Sequence, residues 1–310
     1  MLDQIKGLHH VTAMAADPQI NNDFHTRTLG LRRIKKTVNF DAQDVYHLYY
    51  GDEVGTPGTV MTYFPFPDIA RGKRGAGEVI ETAFAVPKGT LAIWAERLAT
   101  QGVDGLRSTA RFGAQRLDFA GPDGDGFALV EVAEDARAPF AGGPVPAAQG
   151  IHGFHGVTMR LRDGTATGEL LRLMGFERVG TEGMITRHAL PDGNGADIVD
   201  IETAPDAPEA RLGAGSVHHV AFAVVDRAAQ AAVRMALIEA GHQVTPVIDR
   251  DYFWAVYFRA PGGVLFEVAT HEPGFARDES VAELGTTLRI PDQHAHLRAR
   301  IERVLPPIRD

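Results

Sequence analysis

The chain contains no cysteine. Disulfides, thiolate metal sites and cysteine nucleophiles are therefore excluded. It also lacks an excess of positive charge: 31 Lys and Arg stand against 40 Asp and Glu, a formal net charge of -9. Nucleic acid and anionic membrane both call for basic patches, so neither is expected as the main partner. No apolar run reaches the length of a membrane span. The first residues, Met1-Leu2-Asp3-Gln4-Ile5-Lys6, lack the apolar core of a signal peptide, and the cytoplasm is the expected compartment. What is present is an ordinary globular composition over 310 residues, enough for one to three domains.

The chain repeats itself. Gly77-Glu78-Val79-Ile80-Glu81-Thr82-Ala83-Phe84-Ala85-Val86 matches Gly215-Ser216-Val217-His218-His219-Val220-Ala221-Phe222-Ala223-Val224 at six of ten positions, 138 residues apart. Each run leads to a helical stretch that ends at a glycine, Gly102 or Gly241, as suits a helix C-cap. Each then reaches a Pro-Gly turn and a closing strand, Leu129-Val130-Glu131-Val132 or Leu265-Phe266-Glu267-Val268. A second pair joins Gly7-Leu8-His9-His10-Val11-Thr12 to Gly153-Phe154-His155-Gly156-Val157-Thr158. The chain therefore reads as four strand–helix–three-strand units, with rough limits 1–68, 75–138, 150–206 and 212–272. An Ala/Pro/Gly-rich linker, 136–150, divides it into a first pair of units (1–138) and a second pair (150–272), followed by a tail (273–310).

Side chains alternate across a strand, so one histidine of each His-His pair faces each side. In the fourth unit, His218 shares a face with the bulky Val220, Phe222 and Val224. His219 shares the other with Ala221 and Ala223. The bulky face should pack on the helix and the small one should line a cavity. His219 is then the cleft histidine, Glu267 of the closing strand points the same way, and His10 is the counterpart of His219. Two imidazoles and a carboxylate on strands form the facial triad of non-haem Fe(II) sites, with positions left open for reactants. The sister units act as a control: Gly156 stands for His10, Glu81 for His219, and Glu131 is expected where Glu267 stands. One metal site is predicted, built by the first and fourth units. His9 and His218 are read as packing groups or as residues that orient the ligands. His155, His188, His242, His271, His294 and His296 are read as surface or structural.

Paired βαβββ units of this kind form curved mixed sheets around a metal cleft, and the chain resembles the vicinal oxygen chelate superfamily over its first 270 residues. Further phrases resemble the bacterial ring-cleaving dioxygenases of the hydroquinone type. They are Lys35-Lys36-Thr37-Val38-Asn39-Phe40-Asp41, Tyr46-His47-Leu48-Tyr49-Tyr50-Gly51-Asp52, Asp249-Arg250-Asp251-Tyr252-Phe253 and Tyr257-Phe258-Arg259-Ala260-Pro261-Gly262-Gly263. The tail phrases Pro273-Gly274-Phe275 and Leu305-Pro306-Pro307 extend the resemblance to nearly the whole chain. Trp254, Ala255 and His271 depart from the pattern. The resemblance implies an α+β fold and Fe(II) held by His10, His219 and Glu267. It places His9, Thr12, His218, Arg250 and Tyr257 near the substrate. Arg259 is read as an alternative cleft arginine or as an anchor of its own turn.

The reaction implied is the opening of a hydroquinone-type ring by O2, with a small aromatic substrate and O2 as partners. His218 or Tyr257 would move protons and Arg250 would hold an anionic oxygen. A homo-oligomer is compatible with the sequence, which does not set the assembly. The rivals are a catechol extradiol dioxygenase, a glyoxalase-type isomerase or thiol transferase using another metal, and a non-enzymatic binder. The glyoxalase type adds a carboxylate from the paired unit, and the closing strand Thr59-Val60-Met61-Thr62-Tyr63-Phe64 offers none. The binders lack the triad.

Overall fold

The computed structural model describes residues 2–309. The first unit runs through β1 (Ile5–Ala15), α1 (Pro18–Asp23, continued by a π-helical turn Phe24–Thr28), β2 (Arg32–Val38), β3 (Tyr46–Gly51) and β4 (Val60–Pro65). The second has β5 (Glu78–Pro87), α2 (Leu91–Thr100), β6 (Arg107–Arg111), β7 (Ala114–Ala120) and β8 (Gly126–Val132). The third has β9 (Gly153–Leu161), α3 (Thr165–Leu173), β10 (Glu177–Glu182), β11 (Ile185–Ala189) and β12 (Ile198–Thr203). The fourth has β13 (Val217–Val224), α4 (Arg227–Glu239), β14 (Ile248–Asp249), β15 (Phe253–Arg259) and β16 (Leu265–Pro273). The fold is thus the α+β arrangement expected from the repeats, four βαβββ units in two curved mixed sheets.

The units do not pair in chain order. One eight-stranded sheet runs β14-β15-β16-β13-β1-β4-β3-β2, joining the fourth unit to the first. The other runs β10-β11-β12-β9-β5-β8-β7-β6, joining the third to the second. Each sheet therefore takes one unit from either half of the chain. The segments that cross between sheets lie side by side, bridged at Arg71–Ala214, Lys73–Arg211 and Ala76–Glu209. The seam of the first sheet is an antiparallel pairing of β1 with β13, which sets His10 opposite Ala221 and Thr12 opposite His219.

The helices cover the outer faces of the sheets. In β13, Val220, Phe222 and Val224 join the main core with Val233 and Leu237 of α4. Ala221 turns to the other side, into a separate inner cluster with Tyr49, Val60, Phe253, Ala255 and Ala269. This is the split that two-residue alternation requires. Asp226 starts α4 as an N-cap, accepting from the Ala229 amide at 2.8 Å.

The tail closes the first sheet. Phe275 and Leu284 complete the inner cluster. The Arg289 amide donates to the Lys36 carbonyl at 2.9 Å beside a Lys36–Leu288 bridge, extending the sheet past β2. Lys35 of β2 is fully buried with its ammonium 2.7 Å from Asp278 and 2.5 Å from Glu279. A last helix, α5 (Arg298–Val304), buries Ile301 in the main core. Among the described residues, no helix is long and apolar enough to cross a membrane.

Candidate metal centre and its cleft

Strand register assembles the centre. Tyr257 of β15 sits opposite Glu267 of β16, Glu267 beside Ala221 of β13, and Ala221 opposite His10 of β1. His219 lies two residues before Ala221 and so shares its face. Ala221 is the small residue in the middle of this row, and the space above it is where three side chains converge. His10 Nε2 is 3.3 Å and His219 Nε2 2.9 Å from Glu267 Oε2, and the two Nε2 atoms are 3.3 Å apart. Among the described residues this is the only cluster of His, Asp or Glu that could hold a metal ion.

The two contacts to Glu267 are close but are not aligned hydrogen bonds. Glu267 is fully buried, yet neither of its carboxylate oxygens has a hydrogen-bond partner among the described residues. A buried carboxylate without partners is costly unless a cation meets it. Burial alone would raise the Glu267 pKa, but His10 and His219 outweigh burial and hold it well below the usual carboxylate range.

The adjacent histidines set the tautomers. His9 Nε2 lies 3.0 Å from the Thr270 carbonyl, which can only accept, so Nε2 carries the hydrogen. Burial, then the neighbouring His10, pushes the His9 pKa well down and keeps it neutral, leaving its Nδ1 as an acceptor. His10 Nδ1, at 2.9 Å, must then donate to it, and His10 Nε2 is left with its lone pair toward the centre. His218 Nδ1 lies 2.8 Å from His219 Nδ1, the corresponding contact in the fourth unit. Burial and His219 push the His218 pKa down to about 4. Two imidazole nitrogens and a carboxylate facing one point fit a divalent metal.

The centre opens on a cleft of about 350 Å³. Met14, Phe40, Phe64, Phe66, Phe253 and Leu265 supply its apolar wall. Arg250 reaches in with its Nε 3.2 Å from the Tyr257 hydroxyl and a terminal nitrogen 3.5 Å from Asp41. Burial and the Glu267 charge raise the Tyr257 pKa, so its hydroxyl stays protonated. His218, Arg250 and Tyr257 thus line the cleft with the three metal-facing residues. His9 and Thr12 do not line it: His9 stands behind His10, and Thr12 bonds to Thr62 at 2.9 Å. Arg259 is exposed and anchors its own turn, donating to the Gly263 carbonyl at 2.9 Å.

Sequence reasoning passed over two cleft residues, His47 and Tyr49 of β3. Tyr49 Oη lies 2.8 Å from His47 Nδ1, and His47 Nε2 lies 2.9 Å from Thr62 Oγ1. Their spacing of two in Tyr46-His47-Leu48-Tyr49 was the available signal, since it places both on one strand face.

The second sheet carries no such centre, and one equivalence differs from expectation. β5 pairs Ala83 with Ala128, as β13 pairs Ala221 with Glu267, so Ala128 stands for Glu267 and Glu131 for Thr270. The turn residues Pro122, Gly124 and Phe127 align with Pro261, Gly263 and Phe266, and a shared Glu-Val pair obscured this in the sequence. Glu131 instead accepts from the Gly89 amide at 2.7 Å, at the start of α2. At Gly156 a side chain is impossible, because the Ile198 carbonyl oxygen lies 2.3 Å from where its Cβ would stand. Glu81 is held by Arg116 at 2.5 Å and Arg111 at 3.2 Å. Burial raises its pKa, but these guanidiniums outweigh that and lower it.

Residues 138–268 match the model of the Glyoxalase/Bleomycin resistance protein/Dioxygenase superfamily. The chain is 40% identical over 308 residues to MhqO of Bacillus subtilis (strain 168), provisionally named a ring-cleaving dioxygenase, covering 99% of this chain and 98% of that one. It is 36% identical over 301 residues to the chlorohydroquinone/hydroquinone 1,2-dioxygenase of Sphingobium indicum, covering 94% and 93%. A crystal structure from Bacillus subtilis, provisionally named a dioxygenase, superimposes with a TM-score of 0.94 at 40% identity over 99% of this chain and 98% of that one. Glyoxalase I of Zea mays shares the fold at a TM-score of 0.63 and 15% identity, over 86% and 92%. The chain belongs to the ring-cleaving dioxygenases of the glyoxalase/bleomycin resistance protein/dioxygenase superfamily.

Proposed function

We propose that the protein is an Fe(II)-dependent dioxygenase that opens a hydroquinone-type ring with O2, with His10, His219 and Glu267 as the metal ligands. The observation that carries this reading is the convergence of His10 Nε2, His219 Nε2 and the unpartnered Glu267 carboxylate on one buried point at the end of an apolar cleft. When bound, the iron supplies open positions for the ring oxygen and O2 and a route for electrons between them.

The chain's own residues do the rest. His9 and His218 hold the ligand imidazoles in the tautomer that leaves Nε2 free. The phenyl groups of the wall take the ring and exclude water. Arg250 holds an anionic oxygen or substituent of the ring. The Tyr257 hydroxyl, or the Nε2 of His218 that His219 does not occupy, gives or takes a proton at the ring oxygen. Thr12 supports the site from behind through Thr62. On the cleft side of β4, Val60 and Thr62 offer no carboxylate, which disfavours a glyoxalase-type centre with a further acidic ligand. The partners are therefore a small aromatic molecule and O2.

The test is oxygen uptake by protein purified without air and loaded with Fe(II), offered substituted hydroquinones and catechol. Hydroquinones should consume oxygen and give unsaturated ring-opened acids. Uptake with catechol alone would assign the extradiol reaction instead, and turnover of a thiol adduct with no uptake from any phenol would refute both. His10→Ala, His219→Ala and Glu267→Gln should each remove bound iron, whereas His155→Ala should retain it. Equal iron loss in the His155 variant would show that the site is placed on the wrong strands.

A further inference from the structure

The cleft contains polar groups that neither the metal centre nor the Arg250–Tyr257 pair uses, and they form a connected chain. Tyr49 Oη meets His47 Nδ1 at 2.8 Å, His47 Nε2 meets Thr62 Oγ1 at 2.9 Å, and Thr62 Oγ1 meets Thr12 Oγ1 at 2.9 Å. All four residues are buried, Tyr49, Thr62 and Thr12 completely. Tyr49 and His47 line the cleft, and Thr62 and Thr12 lie behind them in the sheet. Register puts Tyr49 opposite Thr62, Thr62 beside Thr12, and Thr12 opposite His219. The chain is built into the same sheet as the metal ligands and ends one residue pair from one of them.

Its direction follows from satisfaction of buried donors. Among the described residues, His47 is the single hydrogen-bond partner of the Tyr49 hydroxyl. A buried phenol whose hydrogen has no acceptor is costly, so that hydrogen goes to His47 Nδ1. His47 is neutral, because burial and then the neighbouring His10 and His219 push its pKa well below the usual value. Its remaining hydrogen is on Nε2 and goes to Thr62. Burial also raises the Tyr49 pKa far above the ordinary phenol value, so Tyr49 does not ionise. The Tyr49 and His47 hydrogens both point away from the cleft. What Tyr49 presents to the cleft is an oxygen lone pair, an acceptor that can receive a hydroxyl hydrogen.

The position suits the far end of a ring. β3 is two strands from β1, about 10 Å at normal strand spacing. A ring bound to the metal by one oxygen and laid across β4 carries its opposite oxygen toward β3. Phe64 flanks the path, 4.4 Å from the His47 ring and 5.8 Å from the His218 ring. Tyr252 and Phe275 close the floor behind Tyr49, with ring centroids 6.3 Å and 5.1 Å away. Arg250, the other polar group at this end, offers only donors and suits an anion.

We propose that Tyr49 recognises the ring hydroxyl opposite the metal-bound oxygen as a hydrogen donor, and that His47 is a positioning residue that aims the Tyr49 lone pair. This rests on the hydroquinone reading above and names the group that selects a para hydroxyl within it. A ring without a para O–H, or with an acceptor there, leaves the Tyr49 oxygen facing a group that cannot donate. Rejection of a substrate analogue that lacks the expected hydroxyl is the strong form of specificity.

The test is anaerobic binding to the Fe(II)-loaded protein, comparing hydroquinone with 4-fluorophenol, which keeps the metal-bound oxygen and replaces the para donor by fluorine. The wild type should bind hydroquinone about 10-fold or more tightly than 4-fluorophenol, the worth of about one well-placed hydrogen bond. Tyr49→Phe should bring the ratio to near one, with iron content and melting temperature as in the wild type. His47→Leu should lose the preference in the same way, and His47→Gln, whose amide oxygen can still accept from Tyr49, should restore part of it. A preference that survives Tyr49→Phe, or a wild type that binds both phenols equally, overturns the proposal. Oxygen uptake measured in parallel reports on the reaction alone. A clear binding preference removed by Tyr49→Phe, with no uptake from hydroquinone, would refute the ring-cleaving assignment while upholding recognition by Tyr49.

Discussion

Replacing Lys35 by Met should destabilise the protein by about 3 kcal/mol. The magnitude comes from what the ammonium leaves behind. Lys35 and Glu279 are both fully buried, 2.5 Å apart, while Asp278 is one-third exposed and can turn to water. Removing one partner of a buried ion pair costs about 3–5 kcal/mol, because the other charge stays desolvated. Here the low end applies, since Glu279 keeps Arg289 at 3.3 Å and the Thr287 hydroxyl at 3.2 Å. Methionine matches the lysine stem in shape, so packing against the Tyr252 ring, 4.7 Å from the ammonium, is largely retained. In a chain of this size the loss should lower the melting temperature by roughly 5 °C. Adding Glu279→Gln should recover most of it, because neither member of the fully buried pair then carries a charge and the partly exposed Arg289 can turn to water. Calorimetry of the three variants measures this, and limited proteolysis should show the tail after β16 cleaved first in the single variant. A loss under about 1 kcal/mol, or a double variant less stable than the single one, would refute the view that this ion pair holds the tail against the sheet.

His25 gives a pH prediction. It is fully buried, stacked 4.6 Å from the Tyr50 ring, and burial pushes its pKa down to about 4. The folded state holds the neutral ring, so its stability contribution is complete above the unfolded value of about 6.5 and falls as pH drops from there to about 4, by about 3 kcal/mol in all. His25→Phe should make that part of the stability–pH curve less steep, the remainder of the slope belonging to the other buried histidines, and an unchanged curve would refute the assignment. Glu131→Ala should leave iron content unchanged and cost about 1 kcal/mol in urea unfolding, as loss of a helix cap does. Iron loss in this variant would restore Glu131 to the role that the strand register denies it.

Much of this molecule was open to inspection before any coordinates. The repeats specify their architecture because each unit has one apolar sheet face and one apolar helix stripe, which can only be buried against each other. The alternation in Val217–Val224 tells which histidine turns inward, because a strand has no third direction for a side chain. Two strand-face arguments and one carboxylate were enough to nominate His10, His219 and Glu267, and the structure brings these three together. The sequence was less informative at Glu131, where a matching dipeptide outweighed the turn that sets register. It was silent about His47 and Tyr49, whose unit carries its metal-facing residue on a different strand.

The sequence by itself determined the unit fold, the number of units, and which face of each strand is inward, because these depend on local periodicity and on near neighbours in the chain. The sequence also put the metal site on the first and fourth units; what the fold adds is how they join, through an antiparallel seam of β1 and β13 within one sheet. That seam brings together residues more than 200 positions apart, and its register is set by nothing local. The tertiary structure alone also decided the tautomer of His10, the place of Thr12 beside Thr62, and the closing of the inner cluster by the tail. Each of these is a contact between distant segments, where the partner that satisfies a buried group cannot be read from the residue that needs it.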